Sequence, residues 1–259
     1  MTGLRRELAI ALAIARRGTY KLYTNPFLLV PGLLFPLLGF AGLAGGLHAI
    51  GRVPGFDYPP GYTTFQFAFV LVQAAAFQGM FVGFTVASDF ERGFARRLLL
   101  ASPGRGGIVL GYVMVSLARF GSTVIILTAI ALVSGARPDH DPARLLAVYT
   151  IAFALNAVTS LYAIGASVRI RSSQGISAIQ PPVFILLFTA PTYVPLGLLT
   201  GWIAHVARWN PVTPVLEATR SLFAGQTVHV ASAFLVLACG AVVLGLWAMA
   251  GARNRSIGA

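Results

Sequence analysis

Long apolar stretches recur along this chain of 259 residues and constrain its fold more than any other feature. A helix needs roughly 20 apolar residues to cross a hydrocarbon core of about 30 Å. Six stretches meet that length: residues 27–48, 63–88, 107–134, 145–168, 176–200 and 230–252. The sequence therefore predicts an all-α polytopic membrane protein with six transmembrane helices in one membrane domain over residues 1–259.

Composition excludes a large water-exposed domain beside these helices. The chain is 57% hydrophobic and 10% charged, whereas soluble domains carry about 25% charged residues. Its net charge of +12 lies in short patches between apolar stretches, which is typical of topology signals and not of nucleic-acid binding. We therefore expect a lipid bilayer, and no nucleic acid, around this chain.

The distribution of basic residues predicts the orientation. An even number of spans puts both termini on one side, together with the connections 89–106 and 169–175. Most Lys and Arg residues fall in those segments and in the two termini, and few fall in 49–62, 135–144 and 201–229. The positive-inside rule then places both termini in the cytoplasm, with the protein in the cell membrane.

The N-terminal segment 1–26 has an amphipathic helical pattern. Leu4, Leu8 and Leu12 form one stripe, and Arg5, Arg6, Arg16 and Arg17 cluster opposite. This pattern is typical of a helix lying in the membrane interface.

Segment 201–229 is apolar but is interrupted by residues that break helices. The interrupting residues are Asn210, Pro211 and Pro214, and proline removes a backbone donor and clashes with the preceding turn. We expect two re-entrant half-helices, Trp202–Trp209 and about Val215–Ala224, before the last span. An ordinary amphipathic loop is the alternative.

Several kinds of chemistry have no motif in this chain. Lys21, the single lysine, lies outside any G-x-x-x-x-G-K-[ST] loop, so the chain lacks the P-loop needed to bind nucleotide phosphates. Its seven carboxylates fall outside the predicted span interiors, which disfavours ion-coupled secondary transport. No metal site, no cofactor and no catalytic residue is therefore expected here.

The segment between the second and third spans combines dense charge with amphipathic periodicity. On a single helix over 89–101, Phe90, Phe94 and Leu98 share one face, while Asp89 and the arginines occupy the other. Such a helix is suited to lie at the membrane surface and contact a partner. A basic loop that only fixes topology is the alternative.

This segment resembles the cytoplasmic signature of type-2 ABC export permeases. The residues that carry the resemblance are Asp89-x-Glu91-Arg92-Gly93, the basic pair Arg96-Arg97, the leucines that follow and Ser102-Pro103. Asn25-Pro26 ahead of the first span and Trp209-Asn210-Pro211-Val212-Thr213-Pro214 ahead of the last are also similar to that family. With six spans in the same order, the resemblance covers essentially the whole chain.

The resemblance implies a permease subunit that pairs with a second copy of itself and with separate ATP-binding cassette subunits, which would hold the ATP and Mg²⁺. It also implies that two segments contact the ATPase, the basic helix 4–23 and residues 89–103. The implied coupling residues are Asp89, Glu91, Arg92, Gly93, Arg96, Arg97, Pro103, Arg16 and Arg17.

Polar residues inside the spans are candidates for lining a transport path. They are Arg119, Gln73, Gln78 and Asn156. A lone arginine in a span faces a cavity, a partner or the interface, and it can also snorkel toward the headgroups. Interhelical hydrogen bonds explain the amides equally well.

The expected function is ATP-driven export of a hydrophobic or amphipathic substrate such as a drug or natural product. Export of a lipid-linked glycan or a lipid is the alternative within the class. A membrane-embedded lipid-modifying enzyme or a non-transporting scaffold is the alternative outside it.

Overall fold

The computed structural model describes residues 3–25, 27, 30–101, 105–172 and 174–253, and these are helical with short connections. Ten α-helices occur in that part of the chain: α1 Gly3–Thr24, α2 Val30–Phe40, α3 Gly61–Glu91, α4 Phe94–Ala101, α5 Gly106–Val133, α6 Pro142–Ile170, α7 Gln180–Phe188, α8 Gly201–Trp209, α9 Val212–Phe223 and α10 Val230–Arg253. A π-helix at Ala41–Gly45 and a 3-10 helix at His48–Arg52 follow α2. Pro26 and Pro103 lie outside the described residues.

Helix α3 forms the centre of the bundle. In its most apolar stretch 89% of the residues are buried, against 17% in α10. It packs against α5, α6, α2 and α9. Helix α5 runs antiparallel to α3, because Thr123 contacts Gln78 while Tyr112 contacts Asp89. A helix that is apolar all round is expected to be buried in this way.

Helices α6 and α10 run parallel to each other. Gly240 lies against Val158, and Arg169, eleven residues further along α6, donates to the carbonyl of Trp247. The end of α6 and the end of α10 therefore lie at the same end of the bundle. We call this the terminal end, since the start of α1 and the α3–α5 connection also lie there, and we call the opposite end the far end.

Within the described residues, five helical segments are long and apolar enough to cross a membrane. They match the predicted spans 27–48, 63–88, 107–134, 145–168 and 230–252, although the first consists of α2 and the irregular helices after it. The predicted continuous helix over 176–200 is wrong. A 3-10 turn at Gly175–Ile179 leads into the nine-residue α7, which ends at Phe188. Pro191 and Pro195 follow, and proline cannot continue a helix.

Two short helices precede α10, as predicted, with different bounds for the second. Helix α8 matches the predicted Trp202–Trp209 closely, but α9 begins at Val212, three residues before the predicted start. Asn210 separates them: its Oδ1 accepts from the Val212 amide at 2.8 Å, and its Nδ2 donates to the Leu186 carbonyl at 2.6 Å. This side chain therefore caps α9 and also attaches it to α7.

Helix α1 is aligned with the bundle instead of lying across its end as an interfacial helix. Glu7 accepts a hydrogen bond from the Gly107 amide, and Tyr23 contacts Ser122 near the other end of α1. A Cβ added at Gly111 would lie 2.8 Å from the Ile14 Cβ. Glycine in α5 thus permits the close approach of α1. The Leu4, Leu8 and Leu12 stripe faces outward.

Candidate functional site

A buried carboxylate joins three helices at the terminal end. The Asp89 side chain is 4% exposed. Arg17 of α1 donates to both of its oxygens at 3.0 and 3.1 Å, and Tyr112 of α5 donates to Oδ2 at 3.0 Å. Lys21 lies 3.9 Å away. A bidentate guanidinium pair of this kind is strong and geometrically specific.

The guanidinium of Arg17 also contacts α4. Its Cζ atom lies 3.7 Å from the centre of the Phe94 ring, a cation–π contact. Arg17 thus connects α1 to both α3 and α4. The two segments that the resemblance implied as coupling elements, 4–23 and 89–103, are in direct contact through this one side chain.

The predicted single helix over 89–101 is broken. Helix α3 ends at Glu91, and Gly93 has a φ of 71°, a left-handed conformation that glycine adopts at helix ends. Helix α4 then starts at Phe94. Asp89, on the last turn of α3, pairs with Arg17, which lies 72 positions away.

The remaining coupling candidates either have exposed side chains or lie outside the part of the chain that the structure describes. Glu91, Arg92, Arg97 and Arg16 are exposed. The side chain of Arg96 lies outside the described part of the chain, as does Pro103. The terminal end therefore presents charged side chains on a frame that Asp89 and Arg17 hold together.

A cavity of about 440 Å³ lies beside this frame, between α1, α3 and α5. It extends from the exposed Arg92 to the buried Arg119, which is 8% exposed. The Nη2 atom of Arg119 is 3.5 Å from the Thr85 hydroxyl, and its buried Nε has no hydrogen-bond partner among the described residues. Phe81 and Phe84 form apolar parts of the wall.

The three amides predicted to line a path lie in the helix core. Asn156 is fully buried, donates to the Ala75 carbonyl at 3.0 Å and accepts from Ser116 at 3.1 Å. Gln78 donates to Thr123 at 2.7 Å. Gln73 is 2% exposed. The contacts of Asn156 and Gln78 join helices of one chain, and a path-lining role stays a prediction.

A second buried arginine lies at the far end. Arg220 of α9 donates to the carbonyls of Pro191 and Thr192 at 2.6 and 3.0 Å and to Glu217 at 3.1 Å. Its Cζ lies 3.5 Å from the centre of the Phe65 ring.

Tyr58 completes the far-end cluster. Its hydroxyl donates to the Arg220 carbonyl at 2.9 Å. Burial raises the pKa of the Tyr58 phenol, so the group stays neutral and able to donate. This cluster fastens α9 to the start of α3 and to the chain after α7.

Comparison with known families agrees with this architecture. The model of the ABC-2 type transporter family matches residues 11–224 of the 259. The chain belongs to the ABC-2 type transporter family. This ABC-2 chain is also 23% identical over 240 residues to a Pyropia yezoensis protein provisionally named transport permease ycf38, over 90% of the chain and 80% of the relative. Permeases of the ABC-2 family normally pair with an ATP-binding subunit.

Sequence reasoning missed Tyr112 and Tyr58, the contact of Lys21 with Asp89, and the burial of Arg220 in this ABC-2 chain. Asp89 was placed in a connection, whereas it lies on the last turn of α3. The signal for Arg220 was an arginine within an apolar stretch, which is costly in a membrane unless it is paired. Tyr112 lies within an apolar span without any comparable signal.

Proposed function

We propose that this chain is the membrane subunit of an ATP-driven exporter whose ATPase is a separate cassette protein that binds the ATP and Mg²⁺. The observation that carries the proposal is the Arg17–Asp89 pair, which joins α1, α3 and α5 next to exposed charges at the terminal end. Family membership supports the same conclusion. These observations favour a transporter over a lipid-modifying enzyme or a scaffold.

In this proposal α4 is the element that the ATPase moves. Its exposed Arg97, and Glu91 and Arg92 just before it, form the contact surface. Gly93 separates α4 from α3 by a turn, so α4 can tilt without unwinding α3. The Phe94–Arg17–Asp89 contacts then transmit that tilt to α1 and α3.

We further propose six crossings with cytoplasmic termini in the cell membrane. Helices α6 and α10 are parallel, so the chain between them has to return from the terminal end to the far end. Residues 175–188 supply a rise of roughly 24 Å for that return, counting 3-10 and α-helical residues separately. Helices α8 and α9 then act as the re-entrant pair at the far side.

The substrate in this proposal is hydrophobic or amphipathic, a drug or natural product, and it moves along a path that two copies of the chain form. Apolar side chains of α10 support a lipid or subunit interface: Leu235, Val242, Val243 and Leu246 are between 59% and 65% exposed. A lipid-linked glycan or a lipid is the alternative cargo, and the same apolar surface suits it.

The proposal is tested by co-expressing the chain with candidate cassette ATPases and measuring co-purification and ATP hydrolysis. We expect a stable complex, and we expect Glu91→Ala combined with Arg97→Ala to dissociate it or to uncouple its ATPase activity. Arg208→Gln, an exposed far-end change on α8, serves as the matched control.

Two outcomes would contradict the proposal. In the first, no cassette ATPase of the native host co-purifies with the chain. In the second, the double variant assembles and hydrolyses ATP as the wild type does, which would remove α4 from the contact surface.

A further inference from the structure

The cavity beside Asp89 has an excess of positive charge. Its charged lining consists of Lys21, Asp89, Arg92 and Arg119. Both oxygens of Asp89 already accept from Arg17, which carries a matching positive charge. Lys21 shares this carboxylate at 3.9 Å, so a single negative charge faces Arg17 and Lys21, and Arg92 and Arg119 form no ion pair with it among the described residues.

Arg119 is the deepest of these cations and the least compensated. Its hydrogen-bond partner Thr85 lies one turn before Asp89 on α3, which places the guanidinium about 6 Å further from the terminal end. The guanidinium stays charged in proteins, and an uncompensated charge at this depth is costly. Among the described residues, no carboxylate forms an ion pair with it.

The rest of the wall is apolar. Phe81, Phe84 and Val115 line the cavity next to Arg119, while the Thr85 and Ser88 hydroxyls lie on the α3 side. A volume of about 440 Å³ falls within the range of small-molecule sites, which combine apolar walls with a few directed polar groups. The combination suits a molecule with an anionic head and an apolar tail.

We propose that this cavity binds the anionic head group of an amphipathic molecule, a phosphate or carboxylate, with Arg119 as the principal ligand and Lys21 and Arg92 at the entrance. The apolar tail packs on Phe81 and Phe84. The inference rests on the proposed function, because it makes this amphiphile the cargo that the exporter collects from the side of the ATPase. Guanidinium and ammonium groups both recognise such anions.

Binding is tested on the full chain purified in maltoside micelles without any ATPase. Native mass spectrometry counts bound decyl phosphate, phosphatidylglycerol and, as a matched zwitterionic lipid, phosphatidylcholine. Inorganic phosphate is added as a competitor against decyl phosphate. We expect one saturable decyl phosphate or phosphatidylglycerol per chain, and weak competition from inorganic phosphate because it has no tail.

Arg119→Gln should weaken this binding about 10-fold or more, since it removes a charge-assisted contact. Arg119→Lys should restore part of it, and Arg208→Gln should leave it unchanged. Tighter binding of phosphatidylglycerol identifies a bilayer lipid as the occupant, and tighter binding of decyl phosphate identifies a free amphiphile. If Arg119→Gln does not yield monodisperse protein, the exposed Arg92→Gln should weaken binding about 2- to 5-fold.

Equal affinity of wild type and Arg119→Gln overturns the inference, as does equal binding of phosphatidylcholine and phosphatidylglycerol. Full competition by an equal concentration of inorganic phosphate overturns the role of the apolar wall. The assay needs no ATPase, so lost binding with intact ATPase coupling rejects only this site. Intact binding without any ATPase complex rejects only the proposed function.

Discussion

Arg220 at the far end and Arg119 near the terminal end are both almost fully buried, yet they differ in how many partners the chain supplies. Arg220 has three oxygen acceptors and an aromatic ring against its guanidinium. Arg119 has one long hydrogen bond and a cavity beside it. Each guanidinium has a buried Nε without a hydrogen-bond partner among the described residues, but the other nitrogens of Arg220 are paired within the chain, whereas Arg119 borders a cavity.

This difference separates a structural role from a binding role. A buried charge with its partners supplied by the same chain holds elements together, and removing it leaves those partners unpaired. A buried charge without such partners lowers stability unless a ligand pairs with it. The change in the free energy of unfolding on substitution therefore distinguishes the two arginines.

The largest effect on stability is expected for a substitution of Arg220. Arg220→Gln should lower the free energy of unfolding by about 3–5 kcal/mol, because two buried carbonyls and the partly exposed Glu217 lose their donor. Thermal unfolding in maltoside micelles, followed by the loss of the monodisperse chromatographic peak, measures the change. Arg208→Gln is the exposed control, and a similar small loss in both variants would contradict the structural role of Arg220.

The second-largest effect on stability is expected for a substitution of Asp89. Asp89→Asn should destabilise the chain by about 1–3 kcal/mol, a value reduced by the partial exposure of Arg17, because the bidentate ion pair is lost. Hydrogen exchange should accelerate mainly in α1. The control is Asp57→Asn in an exposed loop, and unchanged exchange in α1 would show that Asp89 does not hold that helix.

Substitution of Arg119 should change the free energy of unfolding less than substitution of Arg220 or Asp89. Arg119→Gln is expected to change the free energy of unfolding by less than about 1 kcal/mol, or to increase it, because the guanidinium has little internal compensation. The same thermal assay measures this value beside that of Arg220→Gln. A loss as large as at Arg220 would remove the distinction between the two arginines.

The smallest effect is expected at the surface pair of Asp139 and Arg144. Arg144 donates to Asp139 and holds the pKa of that carboxyl below its ordinary value. The contribution is present above the ordinary Asp pKa of about 3.9, and it is lost as the pH falls through the lower pKa of the folded state. Asp139→Asn should shift the unfolding temperature at pH 7 by at most about 2 °C. A larger shift, or one that persists below pH 3, would contradict a surface role.

Periodicity and apolar length predicted the main helices closely. Helices α3, α5, α6 and α10 lie within about three residues of the predicted spans, because a membrane span needs a fixed number of apolar residues. The break at Asn210 and Pro211 was predicted for an equally local reason. The interruption of 176–200 was missed, although Pro191 and Pro195 were local signals of it.

The sequence did not predict which residues the buried charged side chains contact. Asp89 pairs with Arg17 across 72 positions, and Tyr58 reaches Arg220 across 162. Apolar helices can pack in many registers without any change in hydrophobic pattern, so no periodicity specifies such pairs.

Sequence alone therefore determined the class of protein, the place of the long helices α3, α5, α6 and α10, and the end of the bundle that carries most of the basic residues. Each of these follows from local composition. Tertiary structure alone decided that Asp89 is buried between three helices, that Arg220 is paired with carbonyls and Glu217, and that Arg119 faces a cavity. Those properties depend on which side chains a distant helix brings within hydrogen-bond distance.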